Sequence, residues 1–299
     1  MLKPDFFIVG APKSATTSLF SYLKQHPDVF LPKKELYYFC YDLTFLAPPL
    51  TEDIYLSYYA EATNQKAVGD ASVYYLVSPH AAESIKRFNS NARVIIMLRE
   101  PASMVYSLHS QLLSNGDEVI ENFEEALAAE EQRIEEGKVN YRHQGPLEAV
   151  FYTHIAQYYG QVKRYIDVFG KDKVHIILFD DFIKNPKEEY AKVLKFLEIT
   201  EIMPQEFDTI NPNKVTRSKA LLRFIINPPD FVKRLGRVVL PHHSKRRQMV
   251  IDTLWKMNTK YEKREPIKPE TREKLKAAYR GDIEKLQQLL NRDLSNWLK

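Results

Sequence analysis

Short apolar runs alternate with longer amphipathic stretches along the chain. Asp5–Gly10 is apolar and ends in glycine, and Ala15–Gln25 follows with Leu19, Phe20 and Leu23 at helical spacing. Lys66–Asp70 is a weaker strand candidate; Ser78-Pro79 then opens a helix through Phe88, with a capping hydroxyl and a proline at its first position. Arg93–Leu98 and Lys173–Phe179 are near-continuous apolar runs, the pattern of strands buried on both faces. Pro101 starts another helix, residues 121–136 and 146–169 read as helical, and Asn185-Pro186 caps a helix through Leu197. Beyond that the chain reads as mostly helical, ending with Pro269–Leu290. Strands alternating with helices predict an α/β fold with a central parallel β-sheet flanked by helices and a helical C-terminal part. No repeat or flexible linker divides residues 1–299, so a single domain is expected. Ligands in such sheets bind beyond the carboxyl ends of the strands.

Composition narrows the classes. Of 299 residues 44% are hydrophobic and 27% charged, ordinary for a globular chain. Cys40 is the sole cysteine, which excludes a disulfide framework and a multi-cysteine zinc site. The apolar runs are far shorter than the roughly 20 residues of a membrane helix. The opening MLKPDFFIVG turns polar too soon for a signal peptide, and no Asn-x-Ser/Thr sequon occurs, so a cytoplasmic chain independent of membranes is expected. A net charge of +4 is too mild to predict nucleic-acid binding. The charge is uneven: Asp117–Glu136 holds nine acids and one base, and Lys214–Arg247 holds ten bases and one acid. Either run is explained by a solvated face alone.

The loop Gly10-Ala11-Pro12-Lys13-Ser14-Ala15-Thr16-Thr17-Ser18 lies between the first strand and the first helix. Backbone amides and the positive helix end there suit an anion, and four hydroxyls and a lysine add donors. Ordinary Ser/Thr capping would account for the hydroxyls as well. A nucleotide-triphosphate loop requires glycine and lysine at positions 15 and 16, where this chain has Ala15 and Thr16. A second strand end carries Arg99, and Ser107 follows two helical turns later; a guanidinium and a hydroxyl so placed hold one phosphate between them. Taken singly, Arg99 could instead pair with Glu100.

These segments resemble the sulfotransferases that use 3′-phosphoadenosine 5′-phosphosulfate (PAPS), in a bacterial branch similar to carbohydrate and heparan members. FFIVGAPKSATTSLFSYLKQHPDVFLPKKELYYF resembles that family's 5′-phosphosulfate loop and the following Lys-Glu element, and VIIMLREPASMVYS resembles its 3′-phosphate motif. VHIILFDDFIKNP and the terminal NRDLSNW extend the resemblance over nearly the whole chain. The resemblance implies a P-loop-NTPase-like fold, PAPS as donor, adenosine 3′,5′-bisphosphate (PAP) as product, and no metal. It implies that Lys13 contacts the transferred group and the leaving oxygen, with Ser14, Ala15, Thr16, Thr17 and Ser18 cradling the 5′-phosphate. Arg99 and Ser107 bind the 3′-phosphate, and Glu35, within Lys34-Glu35-Leu36-Tyr37-Tyr38-Phe39, acts as base. Read without the resemblance, Glu35 is an exposed acid paired with Lys33 or Lys34.

Three departures qualify the resemblance. The family's loop often has glycine where Ala15 stands, so Ala15 is expected to avoid positive φ. GDASVYYL (Gly69–Leu76) carries Ala71 where heparan-type members have a second catalytic lysine, while Ser72 fits the motif and, with Tyr38, is a candidate substrate contact. The Arg/Lys-Gly lid over the 3′-phosphate is missing; Arg217 is the first candidate to replace it, with Lys219 and Lys245-Arg246-Arg247 as others. Glu118 and its acidic neighbours suggest a small polar or cationic acceptor such as a secondary metabolite, taking sulfate on a hydroxyl or amine; a carbohydrate is the alternative. A P-loop kinase using Asp180 and Asp181, or a non-catalytic nucleotide-binding module with Glu35 idle, are the rivals. His109 falls off the Ser107 face and reads as a helix-packing residue.

Overall fold

The computed structural model describes residues 3–45, 48–139, 145–207, 214–226, 229, 245–262 and 264–299. Strands β1 (Phe6–Gly10), β2 (Val29–Phe30), β3 (Ala67–Ala71), β4 (Arg93–Leu98) and β5 (Val174–Leu178) form one sheet in the order β2-β3-β1-β4-β5, every pair parallel. Thirteen helices are described: α1 (Thr16–Lys24), α2 (Glu52–Ser57), α3 (Ala81–Phe88), α4 (Pro101–Asn115), α5 (Phe123–Ala128), α6 (Glu130–Glu136) and α7 (Tyr152–Ile155) come first. They are followed by α8 (Tyr158–Phe169), α9 (Phe179–Lys184), α10 (Pro186–Phe196), α11 (Lys219–Ile226), α12 (Lys245–Asn258) and α13 (Pro269–Leu290). Among the described residues no helix is long and apolar enough to cross a membrane.

In β1 and β4 the continuous apolar runs have a common cause, whereas β5, expected to be buried on both faces, is an edge strand whose Val174, His175 and Ile176 are only partly buried. Along β1, Phe7 and Val9 enter one core while Phe6 and Ile8 enter the other; along β4, Val94, Ile96 and Leu98 oppose Ile95 and Met97. Each face of the sheet is thus a core, and a strand serving both must be apolar throughout. Gly69 is required where β3 meets β1: a Cβ there would stand 2.2 Å from the Phe6 ring.

From β1 the chain goes to the edge strand β2, returns to β3 beside β1, then crosses to the other side through β4 and β5. The crevice at that reversal, where open α/β sheets bind ligands, lies at the ends of β1 and β4. Gly10 and Arg99 stand there. The region beyond residue 213 is not wholly helical: β6 (Lys214–Thr216) and β7 (Thr259–Tyr261) pair antiparallel as a separate ribbon. Residues 121–136 and 146–169 are each broken, the first at Ala129 and the second between a 3-10 turn (Leu147–Val150), α7 and α8.

Candidate active site

The loop after β1 turns sharply into α1. Gly10 has φ 149° and a Cβ on it would meet the Val73 carbonyl at 2.6 Å, so only glycine leaves the strand this way. Lys13 (φ 59°) and Ala15 (φ 67°) both adopt left-handed backbone. The expectation for Ala15 is corrected: it is the N-cap, not part of the first turn, and its carbonyl receives the Ser18 and Leu19 amides at 2.9 and 3.2 Å. The amides of Thr16 and Thr17 therefore precede the first intrahelical bonds, as do the orphan donors at any helix start. Ser18's amide is already engaged, and Ser14's hydroxyl, fully buried, donates to the Pro12 carbonyl at 3.3 Å. Thr16 is buried and Thr17 exposed, and the hydroxyls of both accept from the Lys34 ammonium, at 3.2 and 3.0 Å.

Lys34 joins the loop to Glu35, whose Oε1 lies 3.2 Å from its Nζ. Glu35 does pair with Lys34, and the pair rests against the anion loop rather than in open solvent. Glu35 also accepts from the Val73 amide through Oε2 at 3.0 Å, and its own amide donates to the Ala71 carbonyl at 2.8 Å. On the other side, Lys13 Nζ donates to Gln111 Oε1 of α4 at 2.6 Å.

Arg99 emerges where β4 ends because Glu100 starts α4, its carboxylate accepting from the Ala102 and Ser103 amides at 3.2 and 2.8 Å and from Arg272 of α13 at 3.1 Å. Glu100 is thus committed to the helix start and to Arg272. Arg99 turns instead toward the loop: Nη1 donates to the Lys13 carbonyl at 3.2 Å and the guanidinium lies 4.4 Å over the Phe179 ring. Burial holds Arg99 below its ordinary pKa. Two turns along α4, buried Ser107 accepts from Arg264 Nη2 at 3.3 Å. Burial, then the charge of Arg99, lowers the Arg264 pKa as well. Arg264 at Ser107 and Arg99 at the anion loop thus stand close enough for their charges to repel, both partly desolvated, an arrangement that an anion with several oxygens would relieve.

Arg217 does not share this place. It is exposed, and its amide donates to the Asn258 carbonyl at 2.7 Å, next to Thr216, which reaches the Ser114 carbonyl at the far end of α4. The ribbon carries the chain back along α4 and delivers Arg264, not Arg217, to Ser107. The side chains of Lys219, Lys245, Arg246 and Arg247 lie outside the described residues.

Of the three candidate acceptor contacts, Glu118 lies in the core, Ser72 is buried against the Glu35 turn, and Tyr38 packs on α2. Glu118 is buried, its carboxylate held by Arg133 at 2.8 Å and by the Tyr152 hydroxyl at 2.9 Å, so it braces the core. Ser72 is buried, with its hydroxyl bonded on three sides to Asp70, Leu36 and Tyr37. The Tyr38 ring stacks on Tyr55 at 4.3 Å and feels the charge of Glu52, which turns it toward α2. Its neighbour Tyr37 points the other way: burial, then the charge of Glu35, raises its pKa well above the ordinary value. His109 is buried and bonded to the Ile120 carbonyl at 2.8 Å, consistent with packing. Asp181 pairs with Arg292.

Four residues of this site escaped the sequence. Gln111 stands one turn after Ser107, so the same helix face announced it. Lys34 and Tyr37 flank Glu35 in its motif. Arg264 carried no local signal, because only the pairing of β6 with β7 brings it in.

A family model described as "Sulfotransferase domain" matches residues 3–218. A sulfotransferase from Alicyclobacillus acidocaldarius is similar in structure over 100% of both chains, with 28% identity and a TM-score of 0.75. The mouse heparan sulfate glucosamine 3-O-sulfotransferase 5 is 25% identical over 227 residues, which cover 75% of this chain and 60% of that protein. The membrane-associated sulfotransferase kil1 of Dictyostelium discoideum is 33% identical over 102 residues, covering 33% of this chain and 21% of that protein. The chain spans less than two thirds of the length of either of these two curated relatives.

Proposed function

Because the chain belongs to the sulfotransferase family, we propose that it transfers the sulfuryl group of PAPS to a hydroxyl or amine of a small polar acceptor, saccharides included. The observation that carries this reading is the pair of guanidinium groups beside the loop, Arg99 on the Lys13 carbonyl and Arg264 on Ser107, near enough for the charge of one to lower the pKa of the other. A nucleotide with phosphate at both its 3′ and 5′ positions matches two adjacent anion subsites, one of them built from arginines. ATP offers nothing to the second. Asp181, which a kinase reading would assign to a metal, is engaged by Arg292.

In this reading the amides at the start of α1 and the hydroxyls of Thr16 and Thr17 hold the 5′ end, and Lys13 and Lys34 bring two ammonium groups to it. The donor, when bound, supplies an electrophilic sulfur and a phosphate leaving group, so fixed positive charge is what the chain contributes. Glu35 takes the acceptor's proton, and its Val73 contact leaves one carboxylate oxygen, now on Lys34, to do so. Tyr37, beside Glu35, borders the acceptor. A sulfate ester carries less charge than a phosphate, so the reading includes no divalent metal. With Glu118 in the core, an acceptor's cation has no partner there, and the polar-acceptor reading rests on Glu35 and Tyr37.

Sulfur-labelled PAPS offered with panels of alcohols, phenols, amines and saccharides tests the reading. Label should move to at least one class, and Glu35→Gln should reduce the rate about 100-fold or more while PAP still binds. Wild-type protein that neither transfers label nor binds PAP would reject it.

A further inference from the structure

Glu35 (φ 62°) and Tyr37 (φ 57°) are both left-handed, a conformation that costs side-chain-bearing residues about 1–2 kcal/mol each. Two such residues flanking Leu36 persist only where the surroundings fix them. Three consecutive residues at the end of β3 do so. The Ala71 carbonyl accepts the Glu35 amide at 2.8 Å, Ser72 Oγ accepts the Leu36 and Tyr37 amides at 3.1 and 3.2 Å, and the Val73 amide donates to Glu35 Oε2 at 3.0 Å.

The middle contact depends on the direction of one hydrogen. A serine hydroxyl has one proton and two lone pairs. Here the proton goes to Asp70 Oδ1 at 2.9 Å, which leaves both lone pairs for the two amides. Asp70 is fully buried, and its other oxygen accepts from the Tyr55 and Tyr75 hydroxyls at 2.9 and 2.8 Å; Tyr59 in turn donates to Tyr55 at 3.4 Å. The hydroxyl donors converge on the carboxylate, so Asp70 serves as acceptor and the Ser72 hydroxyl has one orientation.

We propose that Asp70 and Ser72 are positioning residues for Glu35: the carboxylate orients the serine, and the serine clamps the turn that presents the base. The assignment rests on the reading of Glu35 as the base. It gives Ser72 a role in place of acceptor contact, and it gives a role to a buried acid that touches neither donor nor acceptor subsite.

A double-mutant cycle between Ser72→Ala and Glu35→Gln, read as kcat and as the PAP dissociation constant, tests it. Ser72→Ala should lower kcat about 10- to 100-fold, the scale of loss from misplacing a reacting group, with PAP affinity within about two-fold. In the Glu35→Gln background the same substitution should lower the residual rate less than about two-fold, because no base remains to be positioned. Equal losses in both backgrounds, or a parallel loss of PAP affinity, would overturn the proposal. Should Glu35→Gln alone retain full turnover, the base assignment falls instead, and the two failures are distinct. Asp70→Asn, which keeps the size of the buried group, repeats the test should Ser72→Ala not fold; it should show the same split, and an unchanged kcat there would contradict the proposal.

Discussion

Backbone strain among the described residues gathers where the chemistry is read: Lys13, Ala15, Glu35 and Tyr37 are four of the six non-glycine residues with positive φ. Ala15 is the one whose side chain contributes least to the site, so Ala15→Gly should relax the loop. We expect a gain of up to about 1 kcal/mol, the left-handed cost less glycine's entropy, seen as a small rise in Tm by calorimetry. Glu118 shows the opposite case. Removing its charge takes the carboxylate away from buried Arg133, and Glu118→Gln should cost about 3 kcal/mol in denaturant unfolding. Acceptor KM should not move, because the carboxylate faces inward. At this scale Lys13, Glu35, Arg99 and Ser107 were legible because each stands at a fixed offset from a strand end or motif, and the structure gathers them around one loop. Burial was not legible: nothing local separates Glu118 from Glu125, yet one is buried and the other exposed. Nor could Tyr38 be told from Tyr37 until the left-handed turn set which ring faces Glu35.

At the scale of elements, the strands were readable from two-sided burial and the first helix from its spacing. The breaks in 146–169 were not, because distant carboxylates make them. Glu130 accepts the Thr153 and His154 amides at the start of α7, and Asp282 of α13 accepts the Tyr159 amide at the start of α8. A helix started by an acid more than twenty residues or more than a hundred residues away leaves no local signature. The β6–β7 ribbon escaped for the same reason, and it matters most for the site. Asn258 ties it together, its side chain holding both the Ser218 amide at 2.8 Å and the Ser218 carbonyl at 3.0 Å. Asn258→Ala should loosen the ribbon and, through Arg264, weaken PAP binding about 3- to 10-fold with little change for ADP, measurable by calorimetric titration.

For the molecule as a whole, the reversal of strand order between β1 and β4 sets where anion and arginine meet; alternation of strands and helices implied the parallel sheet but not this order. The same two-sided core buries acids. Asp5 and Asp70 are each raised to about 6, chiefly by burial. A carboxyl raised on folding holds its proton more tightly in the native state, so its contribution to stability is full below the unfolded value near 4. That contribution is lost as pH rises through about 6. Glu118 behaves oppositely: burial disfavours its charge, but Arg133 outweighs it and lowers the pKa, so its contribution disappears only in stronger acid. Buried His109 and His175, held below the ordinary histidine pKa chiefly by burial, act in the opposite sense over the same range, so the acids are read by difference: the stability of the wild type relative to Asp5→Asn should rise from pH 7 to pH 5 in denaturant unfolding. A difference that stays constant over that range would deny that Asp5 is buried as described.

The proposed donor site requires a second anion subsite formed by Arg99 and by Arg264 with Ser107, and calorimetric titration with PAP and ADP tests it most directly. Wild-type protein should bind PAP at least about 100-fold more tightly than ADP, since a paired-arginine phosphate contact is worth several kcal/mol. Arg264→Ala should bring PAP close to the ADP level while leaving ADP unchanged. Equal affinity for the two nucleotides in the wild type, or a preference for ATP with magnesium, would contradict the account.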